Sequence, residues 1–263
     1  MHALIVYAHP EPTSFNGALK DLAAATLQRR GYHVEVSDLY AEGFDPREGP
    51  WHYPDRADTT RFSALTEQRH ASDTATLPDE IRRELHRLER ADLLLLQFPL
   101  WWHGPPAMLK GWLDRVFVYG GRYTSRMRYD TGYYRGRHAL LSLTTGAPAT
   151  AFGPGSRGGD LDVLLHPLHY SLHYMGYTVL PPFVAHGIQS GGVTYETADR
   201  FHALLEEHKH AWTRRLEHLD GDRPLSFPGW DDWDETGAAR TPASDDPNHG
   251  TPARPLRERS AAS

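Results

Sequence analysis

Hydrophobic and polar positions divide the chain into segments with the spacing of strands and segments with the spacing of helices. Strand-like apolar runs cover residues 3–7, 33–37, 92–98, 138–143 and 177–183. Between and after them, apolar residues recur every three or four positions, which predicts helices over residues 15–31, 78–90, 105–118, 161–175 and 196–219. Strands that alternate with helices indicate an α/β fold, in which helices cover both faces of a parallel sheet.

Two regions fall outside this alternation. Residues 43–76 are polar and rich in proline, which predicts a long loop. After residue 221 the composition shifts to Asp, Pro, Gly, Arg and Ser. We therefore expect one domain over residues 1–220 and a C-terminal extension over residues 221–263. Its aromatic part, 224–233, is expected to pack against other structure, for which a second subunit is one candidate, and disorder is expected from about residue 237.

Composition removes several function classes. The 263 residues carry a formal net charge of −6, so the basic excess typical of nucleic-acid binding is missing. The chain has no cysteine, which excludes disulfides, thiolate catalysis and cysteine-ligated metals. Its first apolar run is too short for a signal peptide, and none approaches the roughly 20 residues of a membrane span. We expect a cytoplasmic protein without membrane insertion.

The segment after the first strand, residues 8–16, combines polar side chains with the start of a helix. Thr13, Ser14 and Asn16 offer donors beside the free N–H groups of the helix, which suits a phosphate. The segment follows the carboxyl end of a strand, where open α/β sheets bind ligands. Simple N-capping of the helix by Thr13 or Ser14 is the alternative explanation.

Two further segments follow strand ends and therefore reach the same edge of the sheet. Trp101 and Trp102 come directly after a buried strand, and a flat aromatic ligand packs well on such side chains. A proline-bounded loop that covers the sheet edge is the alternative. The small residues 144–147 open a glycine-rich loop where a ligand can approach the backbone, unless this is an ordinary flexible loop. Their convergence predicts a ligand site at this edge.

Three histidines, His166, His169 and His173, have the spacing of one helix face. This arrangement suits a metal in principle. Pro167 distorts the predicted helix between them, and we expect no metal site.

Taken together, these segments resemble the NAD(P)H:quinone oxidoreductase family, which includes bacterial modulator-of-drug-activity-like reductases and ancillary subunits of potassium efflux systems. The matching stretches span residues 3–185 and are ALIVYAHPEPTSFNGALK, DLYAEGFDP, ADLLLLQFPLWWHGPPAMLKGWLDRVF, YDTGYYRGRHALLSLTTGAP and HYMGYTVLPPF. The resemblance implies a flavodoxin-like, doubly wound sheet of five parallel strands and a homodimer. It also implies bound FAD rather than FMN and ping-pong hydride transfer from NADH or NADPH to a quinone-like or other flat, electron-poor small-molecule acceptor.

The resemblance also assigns roles to individual residues. The FAD pyrophosphate and ribityl chain would be held by His9, Thr13, Ser14, Phe15 and Asn16. The isoalloxazine would lie against Pro99, Leu100, Trp102 and His103, with Trp101 as a further candidate, and its pyrimidine side against Thr144, Thr145 and Gly146. Asp114 and Gln68 would face the adenosine, while Tyr123 and Tyr174 would roof the substrate pocket, partly from the other subunit.

The chain departs from the family at the loop after residue 146. Mammalian-type relatives carry a Tyr and a His there, which support the charge that builds on the flavin; this chain has Phe152 and Gly158. Phenylalanine cannot donate a hydrogen bond. Backbone N–H groups or Arg157 could compensate, although Arg157 could equally be a solvated loop residue. A second tyrosine of the substrate roof is replaced by Ser125, so the acceptor stays open.

Two alternatives to a reductase come from different classes. A flavin-bound ancillary or regulatory subunit could dock on a potassium-efflux-type transporter, using the 43–76 segment and the C-terminal extension. A one-electron flavodoxin carrier is disfavoured because the tryptophan-rich edge and the long chain exceed what such a carrier needs.

Overall fold

A parallel sheet forms the centre of the computed structural model, which describes residues 1–189 and 196–240. Its strands are β1 (His2–Tyr7), β2 (His33–Asp38), β3 (Leu93–Pro99), β4 (His138–Thr144), β5 (Thr178–Val179) and β6 (Phe183–Ala185). Their order is β2-β1-β3-β4-β5, with β6 also paired to β4, and every pairing is parallel. This order confirms the expected flavodoxin-like fold.

Helices cover both faces of the sheet and divide the apolar core in two. They are α1 (Phe15–Arg29), α2 (Ala64–Asp73), α3 (Asp79–Arg90), α4 (Ala107–Val116), α5 (Leu161–Tyr174) and α6 (Ala198–Glu217). One core joins α1 and α6 to the sheet, and the other joins α3, α4 and α5 to its opposite face. Strands β3 and β4 lie between the two cores and are buried throughout, which explains their uninterrupted apolar sequences.

The predicted loop over residues 43–76 is wrong in part, because it contains α2 and a short 3-10 turn at Pro50–His52. The buried residues of α2 are Glu67, Gln68 and Ala71, so its inward face is mainly polar. The Glu67 carboxylate accepts hydrogen bonds from the backbone N–H groups of Ala57 (2.8 Å) and Asp58 (3.3 Å). A helix held by such contacts has no apolar periodicity to reveal it.

The predicted fifth strand over residues 177–183 is two separate strands. Pro181 and Pro182 stand between β5 and β6, and neither has a backbone N–H to donate to the sheet. Strand β5 pairs with the beginning of β4 and β6 with its end. The split carries the chain to the carboxyl end of β4, so that His186 follows β6 at the candidate ligand-binding edge.

The C-terminal extension packs on its own chain as far as it is described. Leu225 donates a backbone hydrogen bond to Val179 (2.8 Å), and the Trp230 indole donates to the Thr131 hydroxyl (2.9 Å). A second subunit is therefore not needed to cover this segment. The disorder expected from residue 237 falls mostly on residues 241–263, which lie outside the described residues, as do residues 190–195 before the predicted last helix.

Proline 167 does not end the helix in which it lies, because α5 extends from Leu161 to Tyr174. Within residues 1–189 and 196–240, no helix is both long and apolar enough to cross a membrane.

Candidate active site

The turn between β1 and α1 places hydrogen-bond donors at the edge of the sheet. Ser14 caps α1 by accepting from the Gly17 N–H (3.2 Å), so the N-capping explanation applies to Ser14. Thr13 does something else: its N–H (2.9 Å) and its hydroxyl (2.6 Å) both donate to the Glu11 carboxylate. These bonds lower the pKa of Glu11. The donors of Thr13 therefore hold an oxyanion of the chain itself.

Asn16 connects this turn to the neighbouring strands by buried hydrogen bonds. Its side-chain amide donates to the Thr144 hydroxyl (2.9 Å) and its carbonyl oxygen accepts from the Gln97 amide (2.9 Å). All three side chains are buried. Both ends of the Asn16 amide are thus engaged within the protein, and its evident role is to fix α1 relative to β3 and β4. Phe15, the first residue of α1, lies with its ring 6.4 Å from that of His208.

The segment after β3 forms a tight, strained turn. The backbones of Trp101 and Gly104 exchange two hydrogen bonds (3.0 and 3.1 Å) around Trp102 and His103. Both central residues have positive φ, 50° and 61°, a combination that normally selects asparagine and glycine. The Trp102 side chain is 98% exposed. A bulky residue held in a costly conformation on the surface is a feature of functional sites.

The ends of β1, β3 and β4 meet as the sequence predicts. The His9 and Trp101 rings are 5.9 Å apart, and the Leu100 N–H donates to the Thr144 carbonyl (2.9 Å). Pro99 is the buried last residue of β3. Beyond β4, a Cβ added at Gly146 would contact only one carbonyl, at 3.8 Å, so this residue faces open space.

The loop after β4 has no polar side chain at the two positions that carry Tyr and His in the resembled family. A Cβ at Gly158 would lie 2.8 Å from the Ala151 carbonyl oxygen and 2.9 Å from the Phe152 ring, so a histidine does not fit there. Arg157 is exposed. A residue that the sequence reasoning missed lies here: the His186 ring is 5.4 Å from Phe152. Its position directly after a strand end was the available signal.

The remaining predicted residues line a cavity of about 640 Å³ between α2, α4 and α5. The structure brings together five of them there: Gln68, His103, Asp114, Tyr123 and Tyr174. The Tyr123 and Tyr174 rings meet edge to face at 5.6 Å. Only His103 of the strand-end residues also lines this cavity. The predicted residues therefore form two groups, the sheet edge and the cavity, that share one turn.

Polar contacts fix the walls of this cavity. The Gln68 side-chain amide donates to the Asp114 carbonyl (3.1 Å), and its oxygen accepts from the Tyr119 N–H (3.1 Å). Lys110 pairs with the Asp114 carboxylate at 2.6 Å. Burial raises the pKa of Tyr123, so its hydroxyl stays protonated as a donor. Ser125 is exposed.

Arg128 supports the cavity wall from outside the lining. Its guanidinium donates to the Tyr174 hydroxyl (3.1 Å) and lies over the rings of Tyr129, Tyr174 and Trp230 at 5.1–5.6 Å. The C-terminal extension thereby helps to position Tyr174.

The three histidines of α5 have separate environments. His166 stacks on Tyr170 at 5.4 Å, and the His173 Nε2 lies 3.0 Å from the Pro228 carbonyl. His169 is buried, and its Nε2 has no partner within the described residues. In the described part of the chain no three potential ligands are grouped to hold a metal.

Buried His169 should make the fold sensitive to acid. Burial, with a smaller effect of His166, lowers its pKa from 6.5 to about 4. Between these values the unfolded chain binds the proton and the folded chain does not, so stability falls as the pH drops from about 6.5 to 4. The difference between the two pKa values corresponds to a loss of roughly 3 kcal/mol in the free energy of unfolding.

We expect His169→Leu to reduce this loss of stability at acid pH, when the free energy of unfolding is measured with urea from pH 7 to 4. His202→Leu, which alters an exposed histidine of α6, is the matched control and should leave the pH dependence of stability unchanged. An unaltered pH dependence in His169→Leu would show that other groups cause the acid sensitivity.

Comparison with known proteins supports this description. The sequence model of a family described as having the flavodoxin-like fold matches residues 1–215. NAD(P)H dehydrogenase [quinone] 1 of Cavia porcellus is 38% identical over 233 residues, 86% of this chain and 79% of that protein. Ribosyldihydronicotinamide dehydrogenase [quinone] of Mus musculus is 38% identical over 236 residues, 86% of this chain and 96% of that protein.

Among solved structures, a protein of Klebsiella pneumoniae assigned as a quinone reductase superposes with a TM-score of 0.82 at 32% identity. The match covers 91% of this chain and 94% of that one. The chain therefore belongs to the flavodoxin-like family, with NAD(P)H quinone oxidoreductases as its relatives. The resemblance inferred from the sequence motifs is confirmed, and an oxidoreductase is what these relatives indicate.

Proposed function

We propose that the protein is an FAD-dependent oxidoreductase that takes electrons from NADH or NADPH and reduces quinone-like or other flat, electron-poor acceptors. The observation that carries this proposal is the strained turn after β3, which presents Trp102 at the edge where the Thr13 donors hold an oxyanion. One end of this edge suits a flat ring and the other suits a phosphate, which is the pairing that a flavin nucleotide needs.

The residues of this edge fit the cofactor in their chemistry. Thr13 and the start of α1 would bind the pyrophosphate, in place of the Glu11 carboxylate. Trp102 would cover the ring system, and exposed Gly146 allows close approach beside Thr145. When bound, the flavin supplies the hydride chemistry, while the protein orients donor and acceptor in turn.

Preference for FAD over FMN rests on the cavity. Asp114 and Gln68, which the resemblance assigns to the adenosine, lie together in its wall and are held by Lys110 and Tyr119. FMN has no adenosine to use them. Protonated Tyr123 and the Tyr174 hydroxyl that Arg128 holds offer donors to an acceptor.

Steady-state kinetics test the reaction itself. If one site serves the nicotinamide and the acceptor in turn, varying NAD(P)H at several quinone concentrations should give parallel double-reciprocal lines. Intersecting lines would contradict a ping-pong mechanism. Absence of quinone-dependent NAD(P)H oxidation by flavin-loaded protein would contradict the proposed activity.

We also propose that the protein acts as a homodimer, because the resemblance builds the acceptor pocket from two subunits. The cavity is lined by Leu65, which is 51% exposed, and Val163 of the neighbouring α5 is 68% exposed. Light scattering at micromolar concentration should give twice the chain mass of 29.7 kDa. A fully active monomer would contradict this proposal.

Substituting the exposed apolar residues locates the interface. Val163→Glu should shift the equilibrium toward monomer, since a charge buried without a partner is costly. Trp51→Glu alters a residue that is 60% exposed but belongs neither to α5 nor to the cavity lining, and it should leave the dimer intact. Equal behaviour of the two variants would place the interface elsewhere.

A further inference from the structure

We infer that His186 stabilises the negative charge that a bound flavin gains at its pyrimidine edge on reduction. The inference rests on the proposed flavin function. Hydride transfer adds two electrons and one proton to the ring, which leaves one negative charge to be held. Neither Phe152 nor Gly158, which stand where the resembled family has its Tyr and His, offers a side-chain donor for it, whereas His186 reaches the same place from the segment after β6.

A hydrogen-bond chain fixes the imidazole against the residue that would face the pyrimidine side. The Thr145 hydroxyl donates to the Ala147 carbonyl (2.9 Å), so at 3.0 Å it is the acceptor for the His186 Nδ1. The Nδ1 atom therefore carries a proton. A negative charge close to the ring then favours a second proton on Nε2, which gives the imidazolium.

The backbone around His186 is held on both sides. Before it, the Ala185 carbonyl accepts from the Thr145 N–H (2.9 Å), and after it the Gly187 N–H donates to the Ala147 carbonyl (3.0 Å). The His208 Nε2 lies 2.9 Å from the His186 carbonyl oxygen. A side chain anchored in this way is pre-organised, as charge stabilisation requires.

The local environment of His186 sets its protonation state. Burial, and to a smaller extent His208, lowers its pKa, so the imidazole is largely neutral before any charge arrives. The competing candidate, Arg157, is exposed. Gly158 has no room for a side chain because the Ala151 carbonyl and the Phe152 ring occupy the space.

The test is the midpoint potential of the bound flavin, which depends on the ratio of its affinities in the reduced and oxidised states. We expect His186→Ala to weaken binding of reduced flavin about tenfold relative to oxidised flavin, which lowers the potential by about 30 mV. Reduction by NAD(P)H in stopped flow should slow by a similar factor. His210→Ala, at an exposed histidine of α6, is the control and should leave the potential unchanged.

Two further variants separate His186 from its competitors. Phe152→Tyr adds a hydroxyl beside His186. It should change the midpoint potential little in the native background and should restore the potential when it is combined with His186→Ala. His186→Gln keeps a neutral donor and should retain part of the potential even if His186→Ala folds poorly. An unchanged potential in both His186 variants would overturn the inference, as would an equal shift in Arg157→Ala. If the native chain binds no flavin, the proposed function fails first, and this inference with it.

Discussion

Replacing Trp102 with alanine should weaken flavin binding by about 1–3 kcal/mol, which raises the Kd five- to about 150-fold. The indole is 98% exposed and has nothing of its own chain to lose by truncation. Alanine has the same difficulty as tryptophan at a φ of 50°, so the turn keeps its conformation and its strain. The whole effect should therefore appear in ligand affinity.

Fluorescence titration of the apoprotein with flavin measures this effect. Trp51→Ala removes another exposed indole outside the candidate site and should leave the Kd unchanged. Both variants should unfold at the urea concentration of the native chain. Unaltered flavin affinity in Trp102→Ala would show that the turn presents its tryptophan for something other than the cofactor.

A second large effect, on stability, is expected from the buried residue Asn16. Asn16→Leu should lower the free energy of unfolding by roughly 2–5 kcal/mol, because it leaves the Thr144 hydroxyl and the Gln97 amide without their partner in a buried position. For a domain of this size, the melting temperature should fall by about 5–15 °C.

The control is Gln28→Leu, which makes a similar change on the exposed face of the same helix. Its effect should stay within about 0.5 kcal/mol. Because Asn16 joins α1 to β3 and β4, its loss should also weaken flavin binding in the variant that remains folded at low temperature. Equal stability of the two variants would contradict the role of Asn16 as a buried tie.

The sequence predicted those parts of the fold whose signals are local and apolar. The buried runs of β3 and β4 and the helical spacing of α1 and α4 are unmistakable because each element packs its own hydrophobic side against the sheet. The meeting of the three candidate segments follows from topology alone, since parallel strands direct their carboxyl ends to one edge.

What the sequence could not predict depends on long-range polar contacts. Helix α2 is held through Glu67 by the backbone of residues 57 and 58, and its buried face lacks apolar periodicity. Likewise, His186 reaches the site only because two prolines split the last strand. The strain at Trp102 is a backbone property that no residue pattern indicates, since Trp-His is an unexpected pair for such a turn.

Identification of the flavin tests the central claim most directly. The chain, purified and then stripped of any cofactor, should be titrated with FAD and with FMN while tryptophan fluorescence is recorded. The proposed site predicts one FAD bound per chain at micromolar concentration or below, with quenching that needs higher FAD concentrations in Trp102→Ala, and weaker binding of FMN. If neither flavin binds at micromolar concentration, the assignment of this sheet edge as a flavin site is wrong.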